Sequence, residues 1–468
     1  MFWSQSISTP SLHWLPVRIG VPRRKMLHRS AGSDTNSGRS CWHHQKPGCL
    51  PGGRGDQAYV AWILLVQNAF RCHGGDRGST LRVKAFRRLL TRVALSGGLV
   101  VFVAVTSCSV EGVDATESVP GDIGRPEVTR ALDHLIADDG LPGAQVVVND
   151  RKRSWTAVAG AGDLERRAPF PDEARVRIGS NTKTFTATVM LQLVAEGKVD
   201  LDAPVERFLP GIVRADGIDG NGITIRNLLQ HTSGLPEYTD LVDPEFQANR
   251  LMHFDTMDLL HRALTQPPQF HPGAKWNYCN TNYLVAGMVI ERVTGHPVGT
   301  EITRRIIEPL GLRDTYYPSA GDTTLRDPHP SGYVAADGKR ADATRLNTSV
   351  AGAAGAMVST GIDLNRFFTA LLSGRLLPPT QLAEMKRTVP IDVPGALVGD
   401  AYGLGLVHRS LPCGAESWGH GGDIDGFETR GGTTDNGRAV TVIVNQIPET
   451  REASADVLKV VDAALCAT

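Results

Sequence analysis

The spacing of apolar residues predicts helices and strands from about residue 126 to the end of the chain. Apolar residues recur every three or four positions in some segments, which is typical of amphipathic helices, and run or alternate in others, which is typical of strands. The predicted helices are 127–138, 182–196, 362–372 and 453–465, and the predicted strands are 144–148, 155–159, 402–408, 428–433 and 439–445. This order predicts an α/β (α+β) domain, 126–200 and 345–468, interrupted by a helical domain, 201–344.

The N-terminal quarter of the chain has a different pattern. Residues 1–82 hold no sustained apolar period, so we expect them to be disordered or not translated. A basic stretch, a mainly apolar stretch of 13 residues and a small-residue end then predict a secretory signal at 83–107. Cys108 follows directly, as in a bacterial lipobox, which makes it a candidate for lipidation, and residues 108–125 are typical of a polar tether. Two interpretations stay open: translation begins near Val83, or the first residues form a basic tail ahead of a membrane anchor.

Charge is divided unevenly along the chain, although its formal net value is +0. Residues 1–107 hold 15 Lys and Arg against 3 Asp and Glu, which leaves 34 basic and 46 acidic residues in the remainder. An acidic body disfavours a nucleic-acid surface, because the phosphate backbone attracts cations. The sequence holds no CxxC, HExxH, GxxxxGK[ST] or GxSxG motif, so the common zinc, nucleotide and α/β-hydrolase signatures are missing. We therefore expect no metal and no cofactor.

Ser180 and Lys183 lie at the start of the predicted helix 182–196. A free serine hydroxyl is a poor nucleophile and needs a neighbouring base. Positions i and i+3 share a helix face, so Lys183 can lie beside the Ser180 hydroxyl, and burial can lower a lysine pKa enough to make it a base. The helix N-terminus also offers N–H groups to a developing oxyanion. The alternative is a helix cap followed by a surface lysine.

Tyr278 and Asn280 form a second short motif in the aromatic segment WNYCNTNY. A phenol near a lysine cation can have its pKa lowered and shuttle a proton, and an asparagine amide can bridge nucleophile, base and substrate carbonyl. The alternative is an ordinary aromatic loop that caps the following helix. We expect Cys279, between the two, to be a small passive residue rather than a nucleophile.

His420, Gly421 and Gly422 form a third motif near the C-terminus. Glycines at the start of a strand permit a ligand to approach the backbone closely. A cation or hydrogen-bond donor in front of them can complete a proton network or hold an anionic substrate. A lone histidine is usually structural, and only its place after the other two motifs makes His420 a candidate.

The order SxxK, YxN and HGG resembles the serine β-lactamase and penicillin-binding protein family, in particular the branch of class C β-lactamases and actinobacterial D-alanyl-D-alanine carboxypeptidases. Further landmarks of that family are RIGS before the nucleophile, LLQHTSGL at 228–235, PLGL at 309–312 and YGLGL at 402–406. The resemblance implies an antiparallel sheet flanked by helices, an inserted all-helical domain, and an active site between them.

The resemblance also implies a role for each residue of the three motifs. Ser180 would be the acylated nucleophile and Lys183 its activating base. Tyr278 would relay the proton to and from the leaving group, and Asn280 would orient the substrate. His420 stands where the family places His or Lys.

The substrate side of the site departs from the family pattern. The oxyanion hole would be the backbone N–H groups of Ser180 and Asp423, next to Gly422. Gly421 stands where Thr is common, which removes a hydroxyl that could bind a substrate carboxylate. Asp423 adds a negative charge, which disfavours anionic substrates unless its side chain points away. His231 is expected in a structural turn, outside catalysis.

Two further expectations follow from the resemblance. The carboxypeptidases hold the substrate carboxylate with an arginine just after the YGLGL segment, where this chain has Val407. Arg409 would lie one step further along the cleft face, so we expect weak carboxylate recognition. The carboxypeptidases also carry a cysteine pair that matches Cys413 and Cys466, and export to an oxidising compartment would permit that disulfide.

The leading interpretation is a secreted or lipid-anchored serine hydrolase at the outer face of a bacterial cytoplasmic membrane, forming an acyl-enzyme on Ser180. It resembles a penicillin-binding D-alanyl-D-alanine carboxypeptidase of peptidoglycan. Alternatives with the same chemistry are an esterase, a D-aminopeptidase or a weak β-lactamase. An alternative of another class is a catalytically silent penicillin-binding sensor. The expected partners are small peptide, ester or β-lactam substrates, without nucleic acid, and a membrane only through the lipid anchor.

Overall fold

The computed structural model describes residues 125–150, 153–336, 339–393 and 399–467. The predicted signal, the lipidation candidate Cys108 and most of the polar tether lie outside the described residues. The described chain forms a large antiparallel sheet with helices on both faces, which confirms the expected fold class.

The main sheet has nine strands, and each neighbouring pair in it is antiparallel. The strands of the described chain are β1 (Gly143–Asn149), β2 (Ser154–Gly160), β3 (Val176–Arg177), β4 (Arg214–Ala215), β5 (Ile218–Asp219), β6 (Tyr333–Ala336), β7 (Lys339–Asp342), β8 (Val358–Ser359), β9 (Val389–Pro390), β10 (Ala401–Tyr402), β11 (Val407–Ser410), β12 (Glu416–Gly419), β13 (Gly422–Ile424), β14 (Phe427–Thr434) and β15 (Ala439–Val444). The order across the main sheet is β2-β1-β15-β14-β12-β11-β10-β9, and β13 pairs with β14. Three separate two-stranded sheets join β3 to β8, β4 to β5 and β6 to β7.

Helices supply the layers that cover the sheet. They are α1 (Arg125–Ala137), α2 (Asn181–Ala195), α3 (Ile225–Leu229), α4 (Thr239–Ala248), α5 (Thr256–Ala263), α6 (Thr281–Thr294), α7 (Val298–Ile302), α8 (Glu308–Leu310), α9 (Gly352–Gly355), α10 (Gly361–Leu372), α11 (Pro379–Met385) and α12 (Arg451–Cys466). A π-helical turn, Thr303–Ile307, connects α7 to α8. Within the described residues, no helix is both long and apolar enough to cross a bilayer.

Two apolar cores lie on opposite faces of the sheet. Val442 and Val444 of β15 pack in one core with Leu132 of α1 and Val457 of α12. Ile443, between them, belongs to the larger core with α2, α6 and α10. Successive strand residues point to opposite faces, so a strand covered on both sides is buried at every position, as β15 is. The α2 side of the sheet is the side on which Ser180 lies.

The structure differs from the sequence expectation at two places. The predicted strand 402–408 is a hairpin, because β10 ends at Tyr402, β11 begins at Val407, and Gly405 between them has φ +71. Glycine adopts a positive φ without steric cost, so the YGLGL segment turns instead of extending. The stretch 201–344, expected to be all-helical, also contains the β4–β5 and β6–β7 hairpins.

Candidate active site

Ser180 lies at the N-terminus of α2, on the turn that follows β3. The turn requires Gly179, which has φ +47 and whose added Cβ would lie 2.8 Å from the backbone N and O of Asp423. Gly422 of β13 is as closely packed, since its Cβ would lie 1.9 Å from the carbonyl oxygen of Ile178. The backbone of β13 therefore contacts the serine turn directly. The two N–H groups expected to form the oxyanion hole, those of Ser180 and Asp423, lie on these adjoining segments.

The Lys183 side chain is fully buried one helical turn from Ser180. Its Nζ lies 3.0 Å from Ser180 Oγ, 2.7 Å from Asn280 Oδ1 and 2.9 Å from the Ala354 carbonyl oxygen. Burial lowers the pKa of Lys183 to about 7, and the charge of Glu237 acts in the opposite direction. Lys183 can therefore be uncharged near neutral pH and accept the Ser180 proton.

Tyr278 and Asn280 lie at the entrance to α6, on either side of Cys279. The Tyr278 ring centroid lies 4.8 Å from Lys183 Nζ, and its hydroxyl hydrogen-bonds with Ser180. Burial raises the pKa of Tyr278 well above its usual value, so the lowering expected from a lysine cation does not occur. Tyr278 is therefore a neutral phenol, which can donate a proton to a leaving group.

The His420 ring is buried and uncharged. Its Nδ1 lies 2.6 Å from the Gly421 carbonyl oxygen, and its Nε2 lies 2.9 Å from Tyr402 Oη. Burial lowers the pKa of His420 to about 3, and the charges of Lys183 and Arg430 act in the same direction. The cation that the sequence allowed at this position is therefore absent, and His420 takes part as a neutral imidazole.

Asp423, Glu428 and Arg430 form an ionic cluster beside the HGG segment. Arg430 Nη1 lies 2.6 Å from Asp423 Oδ1, and Nη2 lies 3.0 Å from Glu428 Oε2. Gly421 leaves room for this guanidinium, because a Cβ there would lie 3.1 Å from Arg430 Nη1. The charge of Asp423 is thus balanced within the cluster, and the arginine beside the HGG segment is already paired.

Arg409 does not line the site. Its Nη2 donates to both carboxylate oxygens of Asp462 on α12, at 2.8 and 3.1 Å, on the face of the sheet opposite to Ser180. The expectation that Arg409 extends along the cleft is wrong, because its guanidinium pairs with the Asp462 carboxylate on the α12 face of the sheet. The expected disulfide between Cys413 and Cys466 is present, with Cα atoms 5.8 Å apart.

Glu237, His231 and Tyr402 complete the site, although sequence reasoning gave them no role in it. Glu237 Oε2 accepts hydrogen bonds from the backbone N–H and the Nδ2 of Asn280, at 2.6 and 3.2 Å. The ring of His231 lies 4.4 Å from that of Tyr278, so the turn that carries it belongs to the site. The family landmarks HTSGL and YGLGL drew attention to these segments, but only the packing reveals the contacts.

Cys279 is a buried thiol inside the YxN motif, and it is the free cysteine of the described residues. Its Sγ lies 3.3 Å from the Leu235 carbonyl oxygen. Burial raises the pKa of Cys279, which keeps the thiol protonated and unreactive, as a passive residue requires.

One group of side chains in the described part of the chain has the composition of a cation site: His134, Asp139 and Asp456. It lies around the end of α1 and on α12, away from Ser180, and the Lys459 ammonium already pairs with Asp456. It takes no part in the chemistry at Ser180.

The chain is similar to several known proteins. A family model described as Beta-lactamase matches residues 128–465. A D-stereospecific amidohydrolase from Streptomyces sp. is 42% identical with a TM-score of 0.67, covering 73% of this chain and 99% of that one. The D-amino acid amidase from Ochrobactrum anthropi SV3, in complex with L-phenylalanine amide, is 29% identical with a TM-score of 0.63, covering 73% and 98%. Esterase EstB from Burkholderia gladioli is 34% identical over 212 residues, which are 43% of this chain and 53% of EstB, so the chain spans about half the length of that curated relative.

Proposed function

Because the chain belongs to the beta-lactamase family and is a serine hydrolase of that fold, we propose that it hydrolyses neutral amides and esters of D-configured substrates. The reaction proceeds through an acyl-enzyme on Ser180. This proposal keeps the chemistry expected from the sequence and changes the preferred substrate, from a peptide with a free D-alanyl carboxylate to an amide or ester without one.

The contacts around Ser180 support a complete proton path. Uncharged Lys183 takes the hydroxyl proton as Ser180 Oγ attacks the substrate carbonyl carbon. The N–H groups of Ser180 and Asp423 stabilise the oxyanion that forms. Neutral Tyr278 gives its proton to the departing nitrogen or oxygen, and the Lys183 ammonium returns a proton to the phenolate. Water then attacks the acyl-enzyme and releases the acid, with Ser180 reprotonated.

The pairing of Arg430 is the observation that carries the substrate preference. A free guanidinium binds a carboxylate through two parallel charge-assisted hydrogen bonds. Arg430 beside Gly421 is instead held by Asp423 and Glu428, and Arg409 is held on the other side of the sheet. A substrate carboxylate at the HGG segment would have to compete for this guanidinium with the Asp423 carboxylate and with the Glu428 side chain.

The preference for the D configuration rests on similarity. The Streptomyces protein, with 42% identity and nearly full coverage of its chain, is named a D-stereospecific amidohydrolase, and the Ochrobactrum protein a D-amino acid amidase. EstB is named an esterase, which supports activity on esters.

The test compares matched substrates with the purified protein. D-phenylalanine amide should be hydrolysed at least tenfold faster than L-phenylalanine amide, and p-nitrophenyl acetate should also be a substrate. Amidating the C-terminus of a D-Ala-D-Ala peptide should change kcat/KM little. A fall of a hundredfold or more on amidation, about 2.7 kcal/mol, would restore the carboxypeptidase assignment.

Ser180→Ala serves as the control for every substrate and should lower kcat by roughly 10³-fold or more. A fluorophosphonate should label the peptide that contains Ser180. Labelling that persists in Ser180→Ala would refute the nucleophile. Labelling of Ser180 without turnover of any amide, ester or nitrocefin would favour the silent penicillin-binding sensor.

We further propose that the protein is exported from the cytoplasm. The disulfide between Cys413 and Cys466 supports this, because such bonds persist in oxidising compartments. Fractionation of the native cells, with the mass of the mature N-terminus, tests it. Recovery of the full-length chain with reduced cysteines from the cytoplasm would contradict it.

A further inference from the structure

His231 is a buried histidine whose proton position is set by its neighbours. Its Nδ1 lies 3.1 Å from the backbone N–H of Cys279 and 3.2 Å from Asn282 Nδ2, and both of these groups are donors. Nδ1 therefore carries no proton, and in the neutral ring the proton lies on Nε2. Its backbone φ of +59 is costly for a residue other than glycine, so the surrounding contacts hold this conformation.

His420 has the opposite arrangement. Its Nδ1 faces the Gly421 carbonyl oxygen at 2.6 Å, and a carbonyl can only accept. The proton of the neutral ring is therefore on Nδ1, which leaves a lone pair on Nε2. The group that meets this lone pair is the Tyr402 hydroxyl, at 2.9 Å.

The Tyr402 hydroxyl joins the two rings into one directed chain. Its oxygen lies 3.2 Å from His231 Nε2, from which it accepts, and it donates its own proton to His420 Nε2. The Tyr283 hydroxyl also hydrogen-bonds with that of Tyr402, but its own proton goes to the Leu229 carbonyl oxygen, so it does not donate to Tyr402. Reversing any bond of the chain would set two donors or two acceptors against each other.

This chain of hydrogen bonds connects the YxN segment with the HGG segment. At one end, His231 accepts a hydrogen bond from the N–H of Cys279, which lies between Tyr278 and Asn280. The His231 ring also packs on the Tyr278 ring. At the other end, His420 holds the carbonyl of Gly421, next to the glycine that contacts the serine turn. Tyr402 is fully buried in the middle.

We propose that Tyr402 is a positioning residue, whose two hydrogen bonds lock His231 and His420 as neutral imidazoles and hold Tyr278 in place for proton transfer to and from Ser180. This rests on the proposed acyl-enzyme reaction.

Neutral histidines matter here because acylation creates a positive charge on Lys183. A second cation at His420 would oppose that charge and slow the reaction. The charged groups that face His420 are Lys183 and Arg430, which disfavour its protonation, and Asp423, which favours it. Lys183 and His420 likewise act against protonation of His231. The Tyr402 proton adds to this by occupying the one basic nitrogen of His420.

The first test reads the tautomers in the resting protein, without substrate. Nitrogen-15 NMR of histidine-labelled protein, assigned with His231→Gln and His420→Gln, should show His231 protonated on Nε2 and His420 on Nδ1. Neither signal should titrate between pH 5 and 8. The opposite tautomer of either ring, or titration of His420 in this range, would overturn the proposal.

The second test uses Tyr402→Phe, with Tyr333→Phe as the matched control. Tyr333 also loses a hydroxyl that holds a hydrogen bond, from the Leu164 N–H at 2.8 Å, but away from both histidines. Tyr402→Phe should lower kcat about tenfold with KM changed less than threefold, and the Nε2 resonance of His420 should shift because that nitrogen loses its hydrogen-bond donor. An unchanged kcat together with an unshifted Nε2 resonance of His420 would overturn the proposal.

The two tests separate this inference from the proposed function. If the unaltered protein turns over no amide or ester, the proposed function fails. The imidazole spectra still decide whether the chain of hydrogen bonds from His231 through Tyr402 to His420 exists. If Tyr402→Phe does not fold, the tautomers of the unaltered protein decide in the same way.

Discussion

Glu237→Gln should shift the acid limb of the pH profile of acylation to lower pH. Lys183 must be uncharged to accept the Ser180 proton, so activity should rise as pH passes through its pKa, about 7. The Glu237 carboxylate raises that pKa, because it favours the lysine cation. Removing its charge lowers the pKa of Lys183, and the uncharged base then persists at lower pH.

The size of the effect follows from the position of the two groups. Burial moves the pKa of Lys183 from 10.5 to about 7, which is roughly 5 kcal/mol in favour of the neutral form. At pH 7 about half of Lys183 is then neutral, against about one molecule in three thousand without the shift. Asn280 separates Glu237 from Lys183 by two hydrogen bonds. Across that distance one charge is worth on the order of 1–2 kcal/mol, or about one pKa unit.

The assay is kcat/KM for a nitrophenyl ester from pH 5 to 9. The acid limb of the unaltered protein should lie near pH 7, and that of Glu237→Gln about one unit lower. Glu245→Gln makes the same chemical change in an exposed ion pair with Arg262 and should leave the limb in place. A limb that stays or moves upward in Glu237→Gln, in a protein with unchanged Tm, would refute Lys183 as the titrating base.

Three further variants test the buried lysine, the disulfide and the pairing of Arg430. Lys183→Met should abolish activity yet raise Tm at pH 7, because folding lowers the lysine pKa and the unfolded chain therefore binds the extra proton. The difference in Tm from the unaltered protein should shrink as pH rises toward 10.5. A lower Tm at every pH would contradict this. Cys413→Ser removes the disulfide, whose loop spans 53 positions, and should cost about 4 kcal/mol or less in the free energy of unfolding while kcat stays unchanged; a lost kcat with intact Tm would show a catalytic role. Asp423→Asn combined with Glu428→Gln leaves Arg430 without a carboxylate partner. The ratio of kcat/KM for a D-Ala-D-Ala peptide with a free carboxylate to that for its amide should then rise about tenfold. An unchanged ratio would show that Arg430 does not select the substrate.

Local patterns predicted the elements that carry the catalytic residues. The apolar spacing after Ser180 predicted the helix that places Lys183 one turn away, and the apolar run at 439–445 predicted the strand observed as β15. These signals are local, since periodicity and turn residues depend on near neighbours in the chain. The fold class could be predicted for the same reason, and the order of the motifs could be read directly from the sequence.

The charge states of the site residues could not be predicted from the sequence. Tyr278 and His420 have pKa values set chiefly by burial, and burial depends on segments far away in the chain. The pairing of Arg430 with Asp423 depends on the register of β13 against β14, and the pairing of Arg409 with Asp462 on how α12 packs.

The buried thiol of Cys279 can report how often the site opens transiently. A protected thiol reacts with an alkylating reagent only during transient opening, so its labelling rate, divided by that of a free thiol, gives the population of the open state. Because Cys279 stands between Tyr278 and Asn280, peptide-resolved alkylation would measure the opening of the proton relay itself. The same experiment with a bound substrate analogue would give the free energy with which the ligand closes the site, without any added probe.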